Sequence, residues 1–174
     1  MVRRAAREPG TLFVGIDADA SALSDVSRRA ARSTGRGGLP NTLFIAAAAE
    51  EMPGPLAGTA DSITIALPWG SLLRAALEPE SASFAGIAAT AKPFGEVEIL
   101  ISSTVRDAAS EGLVLDESFA ASLTGRYAAS GFRHEQCRPA SAADVARLSS
   151  GWGRRLGIPE RRQAWIYRLR VPML

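Results

Sequence analysis

The sequence predicts an α/β fold, a mostly parallel sheet that ends in an antiparallel hairpin. Three observations carry this. Short apolar runs rich in β-branched residues recur along the chain, as buried parallel strands require. Amphipathic helical stretches separate them, which is the alternation of βαβ units. The last two strand patterns, near the end of the chain, read as an antiparallel pair at a sheet edge. At 174 residues, 47% hydrophobic and 22% charged, the chain can bury one core. No repeat or linker-like stretch divides it, so residues 1–174 read as a single domain.

In order, the Arg-rich stretch Met1 to Gly10 looks like the end of a helix, and Thr11 to Ile16 is the first strand. Ala20 to Ser33 is a helix with Leu23, Val26 and Ala30 on one face and Arg28, Arg29 and Arg32 on the other. Thr42 to Ala47 and Ser62 to Leu67 are strands; Ser71 to Leu77 and Ser81 to Ala91 are helices. Lys92-Pro93-Phe94-Gly95 stops the second of these and leads into a strand over Glu96 to Ser102. Asp116 to Ser130 reads as a helix, Phe132 to Arg138 as a strand, Ala142 to Leu156 as a helix and Gln163 to Val171 as the last strand.

Composition excludes several classes. No apolar run approaches the roughly 18 to 20 residues that cross a bilayer, and the opening lacks the apolar centre of a secretory signal, so a cytoplasmic protein is expected. Cys137 is the only cysteine and His134 the only histidine. An intrachain disulfide is impossible, no metal is expected, and Ser-His or Cys-His catalysis is poorly supplied. Both residues fall in the late strand pattern, Cys137 as a small strand residue and His134 as a solvated or structural one.

Charge is unevenly spread. Residues 1–40 carry seven Arg against four acids, residues 41–146 six bases against thirteen acids, and residues 147–174 seven Arg against Glu160 alone. Basic ends flanking an acidic middle suit a polyanion, because each neutralised phosphate releases counterions. A solvated Arg-rich surface is the plainer reading.

Two features point to a nucleoside ligand. Phe13-Val14-Gly15-Ile16-Asp17 is a strand ending in a carboxylate, which in dinucleotide-binding and methyltransferase sheets accepts hydrogen bonds from ribose hydroxyls; Asp17 can equally cap the helix that follows. Ala47-Ala48-Ala49-Glu50-Glu51 places further acids at the next strand end, with small residues that let a planar ring approach the backbone. The Gly-rich turn that usually joins the first strand to the first helix is not in the sequence. Gly35-Arg36-Gly37-Gly38 does not replace it, because it precedes a strand instead of joining a strand to a helix.

Two tryptophans stand out. Leu67-Pro68-Trp69-Gly70-Ser71-Leu72-Leu73 puts Trp69 at the carboxyl end of a strand, where α/β ligand sites form, in a turn stiffened by Pro68 and Gly70. Far along the chain, Ser149-Ser150-Gly151-Trp152-Gly153-Arg154-Arg155-Leu156 sets Trp152 beside paired arginines, with Arg161 and Arg162 following. Each Trp can pack under its loop, or the two faces can clamp a base drawn from its helix. Trp165, inside the last strand pattern, reads as core or sheet surface.

At these residues the sequence resembles the Kam and Npm type 16S rRNA (adenine-1408-N1)-methyltransferases of aminoglycoside resistance. The resemblance is carried by Leu12 to Asp17, Gly37-Gly38-Leu39-Pro40-Asn41, Ala47-Ala48-Ala49-Glu50, Leu67 to Leu73, and Ser150-Gly151-Trp152 with Arg154-Arg155-Leu156. It implies a Rossmann-like class I fold, S-adenosylmethionine as cofactor, and a 30S ribosomal subunit as partner of a monomeric enzyme. It further implies that Trp69 and Trp152 sandwich the flipped adenine while Ser150 orients it. Asp17, Ala49, Glu50, Ala66, Pro68 and Ser71 are implied to hold the cofactor. Arg28, Arg29, Arg32, Arg36, Arg154, Arg155, Arg161 and Arg162 are implied to contact rRNA. The family's Asp-Val-Gly-Thr-Gly-Asp-Gly-like turn is absent here, so relative to the family the sequence reads as truncated before its first strand and turn, or as binding cofactor weakly and relying on the ribosome to complete the pocket; if the chain is whole, a sheet without the strand between the Asp17 and Trp69 strands is expected. Two rival readings follow: a non-catalytic or ribosome-activated 30S-binding homologue with a defective cofactor pocket, and a small-molecule methyltransferase.

Overall fold

The computed structural model describes residues 1–102, 115–148, 153 and 155–172, in two units, Met1–Glu51 and Met52–Leu174. In the first, Val2–Ala5 (α1) leads to Phe13–Asp17 (β1), Ala20–Ala30 (α2) and Thr42–Ala46 (β2). β1 and β2 pair in parallel, Asp17 opposite Ala46. The expected apolar stripe of α2 is present, with Ala30 buried and Leu23 and Val26 half-buried. The helix stops at Ala30. The Leu39 N–H then donates to the Ala30 carbonyl at 2.8 Å, and Gly38 sits so close to the Arg32 carbonyl that any side chain would collide with it. Asn41 completes the return to β2: its side-chain amide reaches the carbonyls of Ala5, Glu8 and Thr11 at 3.0, 3.1 and 2.9 Å. The Gly-Gly-Leu-Pro-Asn stretch is therefore a structural corner.

The second unit holds a four-stranded sheet in the order β3-β4-β6-β5, from Ala60–Ala66 (β3), Ala91–Ile101 (β4), Arg133–Pro139 (β5) and Trp165–Arg170 (β6). β3 and β4 are parallel; β6 runs antiparallel to both β4 and β5. The sheet is thus mixed, with the expected antiparallel ending. β1–β2 and the four strands are separate sheets, and among the described residues β1 and β3 each pair with one strand. The Lys92-Pro93-Phe94-Gly95 breaker proves to be a bulge inside β4: the register passes from Ala60 opposite Ala91 to Ser62 opposite Glu96. Phe94 takes φ of 61° there, and its N–H donates to Val171 at 3.1 Å.

Helices Gly70–Leu77 (α3), Ala82–Ala88 (α4), Glu117–Ala129 (α5) and Ala142–Leu148 (α6) complete this unit. Asp116 caps α5 by accepting the Phe119 N–H at 2.8 Å. Of the helix expected over Ala142 to Leu156, Ala142–Leu148 is described as α6, and residues 149–152 and 154 lie outside the described residues. Alternation along β6 separates two environments. Tyr167, on one face, meets Tyr127 of α5, which also contacts Phe84 and Phe132, with ring centroids 5.3 to 6.3 Å apart. The Tyr127 hydroxyl donates to the Ala76 carbonyl at 2.6 Å, so its burial leaves no open donor.

The opposite face carries Ile166 and Arg168, opposite Leu100 and Glu98 of β4. Here lie two buried acids, Glu98 and Asp144. Burial pushes the Glu98 carboxyl up, but hydrogen bonds from Arg147 and Arg168 outweigh it and hold the group below its ordinary value of 4.5. Asp144 is held below its ordinary value of 3.8, chiefly by the Arg138 guanidinium and also by Ser141. Carboxyls depressed in the fold add stability that is present above their unfolded values and is lost as pH falls through the folded ones. Melting temperatures should therefore decline steadily as pH is lowered from about 5 to about 3, and less steeply in Glu98→Gln. An equal decline in both proteins would remove Glu98 from this account.

Candidate functional site

β3 ends at Ala66, and Leu67 turns the chain: its N–H donates to Leu100 at 2.7 Å, and its φ is 52°. Gly70, three residues on, takes φ of 59°. A leucine in this left-handed region stores about 1 to 3 kcal/mol, and such strain persists where the surroundings over-determine it. Burial of the Leu67 side chain supplies that constraint. Between the strained Leu67 and Gly70, which takes its positive φ without strain, Pro68 is buried and Trp69 is 77% exposed. Trp69 also occupies the N-cap of α3 without a side-chain cap bond, a position that Ser, Thr, Asp or Asn fills best. Neither packing nor helix capping accounts for a tryptophan there, which decides against the reading of a Trp packed under its loop.

Leu67 belongs to an apolar cluster with Leu100, Ala140, Val145, Ile158 and Ala164, against which Leu148 and Leu156 also pack. Leu148 and Leu156 flank Trp152 four residues to either side. Trp152, Ser150 and Arg154 lie outside the described residues. The segments bearing the two tryptophans are thus both rooted in one cluster of the second unit. Trp165, by contrast, is buried, and its indole N–H donates to the Leu115 carbonyl at 2.9 Å; it is core, as the strand pattern implies.

The arginines divide by setting. Arg155 and Arg161 are exposed. Arg162 is half-buried and engaged inside the fold, its Nε donating to Ser102 Oγ at 2.7 Å and its Nη2 to the Ser102 carbonyl at 3.1 Å. In the first unit, Arg28, Arg29, Arg32 and Arg36 are all exposed on α2 and the turn after it, with Arg28 paired to Asp25.

Also in the first unit, Asp17 ends β1 exposed, accepting the Asp19 N–H at 2.9 Å. Asp19, not Asp17, caps α2, taking the Ser21 N–H at 2.8 Å. Asp17 is therefore not spent on capping. The Ala47 N–H donates to the Asp17 carbonyl at 3.1 Å, so the carboxyl ends of β1 and β2 lie side by side. Ala49 and Glu50 follow in a 3-10 turn, Glu50 exposed. A carboxylate beside a run of alanines suits a ribose next to a flat ring, so these residues fit the nucleoside half of S-adenosylmethionine. Ala66 and Ser71 are exposed beside the Trp69 turn in the second unit. The described residues contain no cluster of metal-ligating side chains.

Sequence reasoning missed the buried acids. Glu98 sits between Val97 and Ile99 in an apolar strand, and a charge in that setting demands a buried partner. That was the available signal.

An aromatic side chain exposed at a strand end of one α/β unit, and a carboxylate exposed at a strand end of the other, are features of nucleoside-binding enzymes of the methyltransferase class. A family model described as NpmA, 16S rRNA (adenine(1408)-N(1))-methyltransferase, matches residues 1–171, and the chain belongs to that family. A 16S rRNA (adenine(1408)-N(1))-methyltransferase of Streptoalloteichus hindustanus is 33% identical over 157 residues, 87% of this chain and 72% of the relative. One of Escherichia coli is 30% identical over 171 residues, 91% and 75% of the two chains. Among solved structures, a tryptophan-to-alanine mutant of the Catenulisporales acidiphilia enzyme with cosubstrate SAM superposes with a TM-score of 0.86 at 30% identity, covering 99% of this chain and 80% of that one. The 16S rRNA methyltransferase KamB gives 0.85 at 30% identity, covering 99% and 82%. The chain is an S-adenosylmethionine-dependent methyltransferase.

The contrast between the tryptophans is testable by thermal or denaturant unfolding. Trp69→Ala should change stability by no more than about 0.5 kcal/mol, as for a surface site, and Trp165→Ala should cost about 3 to 5 kcal/mol. A large loss in Trp69→Ala would return that residue to a structural role.

Proposed function

We propose that this protein transfers the methyl group of S-adenosylmethionine to N1 of adenine-1408 of 16S rRNA in the 30S subunit, conferring aminoglycoside resistance. It acts as a monomer and one methyltransferase domain, in the cytoplasm where 30S subunits are found. The carrying observation is that Trp69 is presented bare on a strained turn rooted in the same apolar cluster as both flanks of Trp152.

In this reading Trp69 and Trp152 stack on the two faces of the flipped adenine, and Ser150 orients it. Drawing a base from its helix costs a few kcal/mol, and each aromatic stack returns about 1 to 3 kcal/mol. One stack roughly breaks even; two hold the base out. Adenine N1 already carries a lone pair, so alignment and exclusion of water suffice without a general base. S-adenosylmethionine, when bound, supplies the electrophilic methyl. Asp17 accepts hydrogen bonds from its ribose, Ala49 and Glu50 line its adenine, and Ala66, Pro68 and Ser71 line its methionine end. Arg28, Arg29, Arg32, Arg36, Arg154, Arg155 and Arg161 meet rRNA phosphates; Arg162 braces Ser102 in the free protein and turns to RNA only by releasing it.

Primer extension on treated 30S subunits should stop at adenine-1408. Trp69→Ala and Trp152→Ala should each slow methylation roughly 5- to 150-fold, the rate equivalent of one lost stack. Undiminished methylation in both variants would eliminate the clamp. The logarithm of the affinity for 30S should fall linearly with the logarithm of salt concentration, and each of Arg36→Ala and Arg155→Ala should reduce that slope by about 1. A salt-independent affinity would argue for a small-molecule substrate instead.

A further inference from the structure

Ser102 directly follows β4 and is 4% exposed, so its hydroxyl must find partners inside the protein. A hydroxyl offers one proton and accepts through its lone pairs, and both capacities are used. Oγ donates to the Gln163 carbonyl at 2.6 Å and accepts Nε of Arg162 at 2.7 Å. The Ser102 carbonyl takes Nη2 of the same guanidinium at 3.1 Å. One residue thus receives two N–H groups of a rigid planar fork, which fixes the direction of the arginine as well as its distance. Gln163 and Arg162 stand just ahead of β6, whose first residue, Trp165, lies opposite Ile101 of β4.

The stretch before Gln163 is closed on itself. The Ile158 N–H donates to the Gly153 carbonyl at 3.1 Å and the Arg161 N–H to the Gly157 carbonyl at 2.7 Å, while Ile158 is buried in the apolar cluster. Gly157 takes φ of 67°, and a β-carbon there would stand 3.1 to 3.3 Å from the aliphatic carbons of Arg161. The stem of Arg161 therefore lies over the bare glycine, yet the residue as a whole stays exposed. Its backbone is hydrogen-bonded, its stem is seated, and its neighbour Arg162 is tied to Ser102. An arginine loses much rotamer freedom when it binds a ligand. Here part of that ordering is done before a ligand arrives.

We propose that Ser102 is a positioning residue for rRNA binding: through Arg162 and Gln163 it holds the loop that presents Arg161, already ordered, to a backbone phosphate. Buried as it is, Ser102 touches no RNA in this role. The proposal rests on the reading of Arg161 as a phosphate contact.

The test is a double-mutant cycle on affinity for 30S subunits, measured across salt concentrations. Arg161→Ala removes a phosphate contact and should reduce the salt slope by about 1. Ser102→Ala leaves every arginine in the chain, so the slope should match that of the parent protein while binding weakens roughly 2- to 13-fold, the cost of ordering one arginine on binding. Ser102→Thr, which restores a hydroxyl, should regain much of that loss. In the Arg161→Ala background, Ser102→Ala should cost nothing further, because the side chain it serves is gone. A merely structural role would weaken both backgrounds alike, and that outcome overturns the proposal, as does parent-like affinity in Ser102→Ala. Should Ser102→Ala not fold, Ser102→Cys, a weaker donor and acceptor of similar reach, takes its place in the same cycle. An Arg161→Ala variant that binds 30S as the parent does defeats the reading of Arg161 as an RNA contact, and the proposal falls with it.

Discussion

The packing of Leu67 against Leu100, Val145 and Ile158 is the contact on which the second unit's chemistry depends. Leu67 adopts a backbone angle that a leucine avoids, and burial of its side chain holds it there. That strain turns the chain sharply at the end of β3 and leaves Trp69 facing water. The same cluster receives Leu148 and Leu156, so one apolar nucleus anchors the roots of two aromatic segments that are about eighty residues apart in sequence. Weakening it would loosen both together.

Around this nucleus the sheet presents two unlike faces. The Tyr127, Tyr167 and Phe84 side is a conventional aromatic core with its hydroxyls satisfied. The Glu98, Arg147 and Asp144 side is charged and directional. The first face gives the unit its stability. The second ties α6 to β4 and β5 through bidentate pairs. This division explains why a carboxylate is kept in the middle of an apolar strand.

Much of this was legible in the sequence. β1, β2 and the paired β5 and β6 follow their apolar patterns within one or two residues, because strand periodicity and flanking turn residues are local signals. The two Trp motifs announced themselves by being costly where they stand. Three things were not legible, each decided by tertiary contacts. Lys92 to Gly95 reads as a breaker but is a bulge, because Val171 of a distant segment pairs across it. Capping of α2 falls to Asp19, two residues beyond Asp17, which reads equally as ligand or cap and stays exposed. Arg162 looks like one more member of a basic cluster, yet Ser102, sixty residues earlier, holds it within the fold.

The central claim is that Trp69 and Trp152 together grip a base. A cryo-electron-microscopy structure of the protein on the 30S subunit, trapped with a non-reactive analogue of S-adenosylmethionine, tests it most directly. The account predicts adenine-1408 swung out of its helix, its ring lying flat between the two indoles. An adenine still stacked within its helix, or one held against a single tryptophan with the other indole turned away, would contradict it.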